Sequence, residues 1–225
     1  MKLKTSIALL SIIGLWNLNS LAAEPMTENE KVIYSLGYEL GKDIKRQQLS
    51  LTPEILLQGA KDAIEGDKPL VNSRERHQAL KEIKQKRNQE YLEKSQAFLA
   101  ENGKKEGVVT LPSGLQYKEI LAGEGKSPSA TDSVSVNYRG TLIDGTQFDS
   151  SYERGKPSTF KTNRVIKGWS EALQLMKEGA KWELYIPPEL AYGKRGRKPI
   201  PPNSALIFEV ELISVKDRSA TSGKK

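Results

Sequence analysis

Few side chains in this 225-residue chain are suited to covalent or acid–base chemistry. The sequence has no cysteine and a single histidine, His77, which lies in a run of charged residues. Because zinc and iron sites are built largely from Cys and His ligands, we expect no metal site and no cofactor. No nucleophile paired with a base stands out either. The remaining candidates are apolar side chains beside isolated polar groups, all in the C-terminal half: Tyr138, Phe148, Asp149, Arg154, Val165, Ile166, Trp169, Tyr192, Ile200 and Phe208.

For any one of these aromatic residues, packing in the core of a domain is the simpler interpretation. The segments around them favour a functional interpretation. Five motifs lie between residues 107 and 216: Tyr138–Leu142 (YRGTL), Gly145–Ser151 (GTQFDSS), Val165–Trp169 (VIKGW), Ile186–Gly193 (IPPELAYG) and Pro201–Phe208 (PPNSALIF). Their order, and nearly their spacing, are similar to those of the FKBP family of peptidyl-prolyl isomerases. The C-terminal half therefore resembles an FKBP-type domain.

The resemblance implies an antiparallel sheet of five or six strands wrapped around one short helix, with a proline pocket between them. It implies that Trp169 forms the floor of the pocket and that Val165 and Ile166 lie at its rim, where the Ile166 amide bonds a substrate carbonyl. It also implies that Arg154 orients Asp149 beside the twisting bond. On this basis catalysis is assigned to Asp149, Tyr192, Tyr138 and Phe148, and substrate binding to Trp169, Val165, Ile166, Phe208, Ile200 and Arg154.

Proline isomerisation suits a pocket that has no reactive groups. Rotation about an X-Pro bond crosses a barrier of about 18–20 kcal/mol without forming or breaking a covalent bond. A cavity that removes water from the imide stabilises the twisted, less polar state relative to the planar one. The expected partners are unfolded or partly folded polypeptides that contain proline, and macrolide inhibitors of the FKBP type.

Two segments depart from the family pattern. Many family members carry an aromatic residue just after a Lys-Pro pair, where this chain has Ser158-Thr159 before Phe160. The loop of residues 193–199 (GKRGRKP) is unusually basic. This loop is either a solvated tip or a surface that selects acidic or anionic partners, and the sequence leaves both interpretations open.

The elements that position the candidate residues are mainly strands. Residues 134–142 alternate apolar and polar side chains, which places Tyr138 on the same face as the two preceding valines. Asp144-Gly145 is a dipeptide preferred in tight hairpins. The pattern predicts the α+β class for this half. The other predicted elements are strands at residues 182–186 and 206–212 and one short amphipathic helix at residues 169–176.

The N-terminal half has helical periodicity instead. A capping box at Thr27 is predicted to start a first helix, and a second helix is predicted to begin at Pro53. A third helix is predicted from residue 72 or 73 to a left-handed C-cap at Gly103. The middle of this helix, residues 81–94, is almost wholly polar. We therefore expect it to bridge two modules rather than to be buried.

The first two helices are expected to need a partner, because roughly 40 residues without a disulfide or a metal rarely bury a sufficient core. Gly37 and Gly41 lie one turn apart, where each weakens a helix by about 1 kcal/mol. They are either tolerated without a role or allow another backbone to approach. The surrounding segment, residues 33–41 (IYSLGYELG), resembles the dimerisation segment of the Mip/FkpA (macrophage infectivity potentiator) subgroup. The resemblance implies a V-shaped homodimer with contacts through Leu36, Gly37, Leu40 and Gly41.

The N-terminus has the features of a secretory signal. Lys2 and Lys4 precede an apolar run that ends near Leu18, and residues 20–22 (SLA) suit a signal peptidase. An uncleaved membrane anchor is the alternative, although the run is shorter than the roughly 20 residues that span a bilayer. We expect export to the periplasm, to the outer membrane or cell surface, or secretion. No integral membrane segment is expected after cleavage.

The predicted organisation and function follow from these patterns. The formal charge of +7 is scattered rather than gathered with aromatic residues, so we expect no nucleic-acid binding. Two functions stay open, a catalyst of proline isomerisation in protein folding and a dimeric chaperone with secondary isomerase activity. A virulence role rests only on the subgroup resemblance and the signal. The predicted parts are a signal peptide (1–22), an all-α dimerisation domain (23–70), a long connecting helix (71–106), the FKBP-type domain (107–216) and a flexible basic tail (217–225).

Overall fold

The computed structural model describes residues 25–47 and 49–216. The predicted signal peptide and the predicted basic tail therefore lie outside the described residues. The described residues divide into two compact units, with the boundary between Lys61 and Asp62. Among the described residues, no helix combines the length and the apolar character that crossing a membrane requires.

The N-terminal region is helical, as predicted, and contains α1 (Glu28–Arg46) and α2 (Pro53–Glu65). The capping box that precedes α1 is confirmed. The Thr27 Oγ1 accepts a hydrogen bond from the Glu30 amide at 3.3 Å, and the Glu30 carboxylate accepts one from the Thr27 amide at 2.7 Å. These reciprocal bonds satisfy two backbone donors that the helix itself leaves free. The second helix begins at Pro53 as predicted. Proline suits this position because the first N–H groups of a helix have no acceptor within the helix, so the N–H that proline lacks is not missed.

The third helix, α3 (Ser73–Asn102), begins with a second capping box, between Asn72 and Glu75. The prediction of a left-handed C-cap at Gly103 is wrong, because this residue has φ −64° and ψ −14°. Glycine is favoured there because the side chain of Gln116 lies very close to this residue. A Cβ at this position would lie 2.9 Å from Nε2 of Gln116.

The C-terminal half of α3 packs against the sheet, which its polar sequence did not indicate. The buried Ser95 Oγ donates to the Asn203 carbonyl and accepts from the Ala205 amide, both at 2.8 Å. The buried Asn102 donates through Nδ2 to Oε1 of Gln116 at 3.0 Å. The interpretation of α3 as a solvated bridge is therefore incomplete, because its polar side chains dock it on the neighbouring backbone and side chains. The domain bounds stay predictions.

The C-terminal half forms one sheet in which every pairing is antiparallel. The strands are β1 (Val108–Thr110), β2 (Gln116–Leu121), β3 (Ser133–Leu142), β4 (Gln147–Ser150), β5 (Ser158–Lys161), β6 (Lys181–Ile186) and β7 (Leu206–Lys216). Their order in the sheet is β1-β2-β6-β7-β3-β4, and β5 also pairs with β3. The sheet has seven strands rather than five or six, because β4 and β5 pair with different parts of β3 and the short β1 extends the opposite edge.

The core lies between one face of this sheet and the short helix α4 (Lys167–Leu175). The alternation predicted for β3 is confirmed, since Val134, Val136 and Tyr138 are buried and the residues between them are only partly so. The predicted helix is also confirmed, although it begins two residues earlier than expected. A helical N-terminal region followed by an antiparallel sheet with one helix is the predicted α+β fold. The apolar side chains that α4 buries are Trp169, Ala172 and Leu173, with Met176 directly after it.

We expect Ser95→Ala to lower the free energy of unfolding by about 1–3 kcal/mol, because the buried carbonyl of Asn203 and amide of Ala205 lose their partner. Urea unfolding, followed by the fluorescence of Trp169 and Trp182, measures this change. The control is Gln96→Ala on the exposed side of the same turn, which should change stability by less than about 0.5 kcal/mol. Equal unfolding midpoints for the two variants would contradict the proposed docking of α3.

Candidate active site

A cavity of about 570 Å³ opens at the end of the sheet that faces the start of α4. This volume is within the range of small-ligand sites. The cavity brings together nine of the ten predicted site residues. Arg154 does not line it directly but bonds to residues that do. The nine lining residues are Tyr138, Phe148, Asp149, Val165, Ile166, Trp169, Tyr192, Ile200 and Phe208.

Trp169 forms the floor of the cavity and is only 3% exposed. Three rings meet its indole at steep angles: Tyr138 at a centroid distance of 5.1 Å and 89°, Phe208 at 5.2 Å and 78°, and Phe160 at 5.8 Å and 88°. Such edge-to-face contacts are favourable because the positive edge of one ring meets the negative face of another. The indole is therefore held in one orientation by side chains from three different strands.

The wall formed by Phe148 and Phe208 depends on Gly140 in β3. The two rings contact each other with centroids 5.4 Å apart at 84°. Gly140 pairs directly with Phe208 across the sheet, and a Cβ at Gly140 would lie 2.7 Å from both rings. Because that distance is far below van der Waals contact, any larger residue at this position would displace the wall.

A cluster of three polar side chains lies at the edge of the cavity. The Tyr138 hydroxyl donates to Oδ2 of Asp149 at 2.6 Å, and Arg154 donates from Nη1 to Oδ1 of Asp149 at 2.5 Å and from Nη2 to the Tyr138 oxygen at 2.7 Å. Arg154 also donates to Oγ of Ser158 at 3.1 Å. Ser158 occupies the segment that departs from the family pattern, and its hydroxyl helps to hold Arg154 in place.

The cluster keeps Asp149 ionised. Partial burial acts to raise the pKa of Asp149, but hydrogen bonds from Tyr138 and Arg154 and the charge of Arg154 outweigh it, so the pKa lies below its usual value. Burial and the hydrogen bond to Asp149 raise the pKa of the Tyr138 hydroxyl, which keeps its proton. The negative charge at this edge of the cavity is therefore fixed in position and matched by one guanidinium group.

A backbone donor lies at the rim. Ile166 is the N-cap of α4, and no acceptor for its N–H is found among the residues that the structure describes. Amides at the start of a helix have no partner within the helix. The Ile166 N–H is thus available to a ligand, as the family resemblance implies.

Six further residues line the cavity, and the sequence analysis did not assign them to the site: Phe160, Arg164, Ala191, Arg197, Lys198 and Pro199. Phe160 follows Ser158-Thr159 in the segment that departs from the family pattern, and it lines the cavity. It pairs with Val134 of β3 and lies 6.0 Å from the ring of Tyr138. The alternation of residues 158–161, in which Phe160 is the apolar member, could have identified it.

The loop between β6 and β7 forms one side of the cavity. Arg197 and Ile200 exchange two backbone hydrogen bonds, which close the tip of this loop. The Arg197 guanidinium lies over the Tyr192 ring, 5.8 Å from its centroid. The basic residues at positions 197 and 198 therefore face the same cavity as the aromatic wall.

We expect Arg154→Gln to raise the pKa of Asp149 toward its ordinary value, because the carboxylate loses its cationic donor. An NMR titration of the Asp149 carboxyl carbon measures this shift. Since the pKa is depressed in the folded protein, this ion pair stabilises the fold at pH 7. Its contribution disappears as the pH falls below about 4 and through the folded pKa. The exposed Lys156, changed to Gln, is the control, and an unchanged Asp149 pKa in Arg154→Gln would refute the assigned pairing.

Comparison with known proteins agrees with this architecture. Residues 124–213 match the family described as FKBP-type peptidyl-prolyl cis-trans isomerase. Residues 29–118 match the domain described as amino terminal to FKBP-type peptidyl-prolyl isomerase. The two matches together extend over both halves of the chain.

Individual relatives cover nearly the whole sequence. The outer membrane protein MIP of Legionella longbeachae is 42% identical over 95% of this chain and 99% of its own length. The peptidyl-prolyl cis-trans isomerase Mip of Coxiella burnetii is 46% identical over 88% of this chain and 91% of its own. The crystal structure of FkpA from Escherichia coli is 38% identical, covers 84% of this chain and 97% of that chain, and superposes with a TM-score of 0.62. The chain therefore belongs to the FKBP-type peptidyl-prolyl cis-trans isomerases and, across both halves, to their Mip/FkpA subgroup.

Proposed function

We propose that this protein is an exported homodimer that accelerates X-Pro isomerisation in folding polypeptides, with the reaction in the cavity above Trp169. The observation that carries the proposal is the fixed apolar floor and walls of that cavity beside one oriented carboxylate. The cavity contains an apolar surface for a proline ring, a backbone donor and a charged group in a set position. Such a site suits a reaction that changes the shape and polarity of a bond rather than its covalent partners.

In the proposed mechanism the proline ring rests on the Trp169 indole between the rings of Tyr192 and Phe208. Binding there removes water from the imide, which loses more stabilisation in its planar, polar state than in its twisted state. The Ile166 N–H donates to a substrate carbonyl and fixes the chain across the cavity. Because the rings are already held by one another, little ordering is needed when the substrate binds.

Asp149 supplies the electrostatic part of the proposed mechanism. The charge distribution of the imide changes as resonance between nitrogen and carbonyl is lost. A carboxylate that Tyr138 and Arg154 hold in one orientation acts on this change without having to reorganise. Arg154 is therefore a positioning residue, whereas Asp149 faces the reacting bond.

We expect Asp149→Asn, Tyr192→Ala and Trp169→Leu each to lower kcat/KM for a proline-containing peptide by at least about tenfold, because each removes an interaction with the twisted imide or the proline ring. A protease-coupled isomerisation assay, with and without a macrolide inhibitor, measures the rates. Tyr152→Ala is the control, since this exposed tyrosine lies outside the cavity. Circular dichroism checks that each variant is folded. Wild-type rates in all three variants would show that the site assignment is wrong.

The proposed dimer is supported by apolar residues on α1 that stay exposed among the residues that the structure describes. Leu36 is 68% exposed and Leu40 is 44% exposed. Contiguous apolar surface of this kind marks interaction sites in soluble proteins. The other exposed large apolar side chains of α1 are Val32, Ile33, Tyr34 and Tyr38.

The glycines of α1 support the same proposal. A Cβ at Gly37 or Gly41 would meet no atom within 4 Å, so nothing within the described chain requires glycine there. Each nevertheless weakens the helix by about 1 kcal/mol. Close approach of a second copy of the helix would account for both residues.

We expect Leu36→Lys combined with Leu40→Lys to convert the dimer into a monomer, because two charges would be buried at the proposed interface. Light scattering on the full chain measures the mass. The control is Lys42→Ala, whose side chain lies about 200° around the helix from Leu40. A dimeric mass for the double variant would exclude this surface as the interface.

A second candidate function is a chaperone that holds unfolded chains, with isomerase activity in a secondary role. The exposed apolar residues on both N-terminal helices favour it, since α2 also exposes Ile55, Leu57 and Ile64. The monomeric double variant separates the two functions. If it isomerises peptides normally but no longer suppresses aggregation of a proline-independent client, the dimer is a holding device. If the monomeric variant still suppresses aggregation as well as the wild type does, the dimer is not needed as a holding device.

Export is the remaining part of the proposal. It rests on the basic and apolar residues before position 23, which lie outside the described residues. One relative of high coverage is named an outer membrane protein. We propose the periplasm or the cell surface as the site of action. A role in virulence is proposed only by analogy with the relatives of the macrophage infectivity potentiator type.

A further inference from the structure

Three cationic side chains line the mouth of the cavity: Arg164, Arg197 and Lys198. All three are exposed. None of them forms an ion pair with any residue that the structure describes. Their charges therefore face solvent and whatever enters the cavity.

The acidic charge in the cavity does not offset these cations. Asp149 is the one carboxylate among the lining residues that the structure describes, and Arg154 and Tyr138 already bind it. A carboxylate and a guanidinium in contact have little net field at a distance. The mouth of the cavity is thus left with a net positive charge.

The chain segments on both sides of the cavity add to this net positive charge. Residues 154–169 contain five basic and no acidic side chains, and residues 191–208 contain four basic and no acidic side chains. Glu153, Glu171, Glu189 and Glu209 flank these segments, but none of them lines the cavity. A substrate that approaches the Trp169 floor passes between two segments of one charge sign.

We propose that this cavity selects X-Pro bonds that have an acidic residue next to the proline. The inference rests on the proposed isomerase function and names the substrate class of that same site. Carboxylates on the residues beside proline would lie at the mouth while the proline ring occupies the floor. Arg197, stacked on Tyr192, and Lys198, its neighbour on the closed loop tip, contribute charges on one side, and Arg164 contributes a charge on the segment before α4.

The contribution of three exposed charges is modest but measurable. Single exposed pairs in proteins contribute weakly, and their interaction falls with salt because the Debye length shrinks from about 10 Å at 0.1 M to about 3 Å at 1 M. Several charges of one sign around a cleft add up and also raise the local concentration of an oppositely charged ligand. We therefore expect about a fivefold preference, present at low salt and absent at high salt.

The test uses two peptides that differ only in the residues on either side of one proline, Glu in the first and Gln in the second. Glutamate and glutamine have the same shape, so the pair isolates charge. NMR exchange spectroscopy of the cis and trans signals measures kcat/KM without an auxiliary protease. The full-length protein is expected to favour the Glu peptide about fivefold at low salt and to treat both equally in 1 M NaCl.

Matched variants test whether the three cations at the mouth of the cavity cause the preference for the Glu peptide. Arg164→Gln, Arg197→Gln and Lys198→Gln, combined in one chain, should bring the ratio of the two peptides close to one. The control combines Lys81→Gln, Lys84→Gln and Lys86→Gln, which removes three exposed charges from α3, and it should keep the wild-type ratio. A preference that survives in the triple cavity variant, or disappears in the α3 control, would overturn the proposal.

The same measurements separate this inference from the proposed function. Isomerisation of both peptides at equal rates at low salt overturns the acidic preference and leaves the isomerase assignment intact. Isomerisation of neither peptide overturns the isomerase assignment as well. Because the ratio is taken within each variant, a general loss of activity in the triple cavity variant does not imitate a loss of preference.

Discussion

The packing of three rings against the indole of Trp169 is the interaction on which both the core of the C-terminal domain and its cavity depend. Tyr138, Phe160 and Phe208 come from β3, β5 and β7, so the contact joins α4 to three strands at once. The same rings form the cavity. The choice between core packing and a functional site, which the sequence left open for each aromatic residue, therefore has no single answer. One side of this cluster is core, and the other side lines the cavity that we propose as the binding surface.

The polar cluster beside these rings bears on two proposed roles of charge in the cavity. Asp149 is ionised and oriented, yet its charge is matched by Arg154 at 2.5 Å. The local carboxylate can act on a bond in contact with it, while the field felt farther away comes from Arg164, Arg197 and Lys198. The short-range group that we propose for the reaction and the longer-range field that we propose for substrate choice can thus exist in one cavity without cancelling.

The features that sequence predicted best are those set by periodicity and local chemistry. The alternation of β3 and the capping box at Thr27 were correct because each depends on a few neighbouring residues. The docking of α3 was missed because it uses Ser95 and Asn102, and a hydrogen-bonded polar interface looks like a solvated one in sequence. Gly103 was misread for a related reason, since its need for glycine comes from Gln116 on a distant strand. Phe160 was missed because it lies two residues after the position at which the family resemblance led us to expect an aromatic residue.

The docking of α3 also bears on the cavity. Asn203 has φ 56°, a conformation that asparagine tolerates better than most residues. Its carbonyl accepts from Ser95, its side chain donates to the Asn88 carbonyl, and its amide donates to the Gly193 carbonyl at 2.9 Å. Gly193 and Asn203 bracket the basic loop, so α3 holds the base of the segment that carries two of the three cations. A long helix in this position therefore does more than extend the chain, because it fixes one wall of the cavity that we propose as the isomerase site.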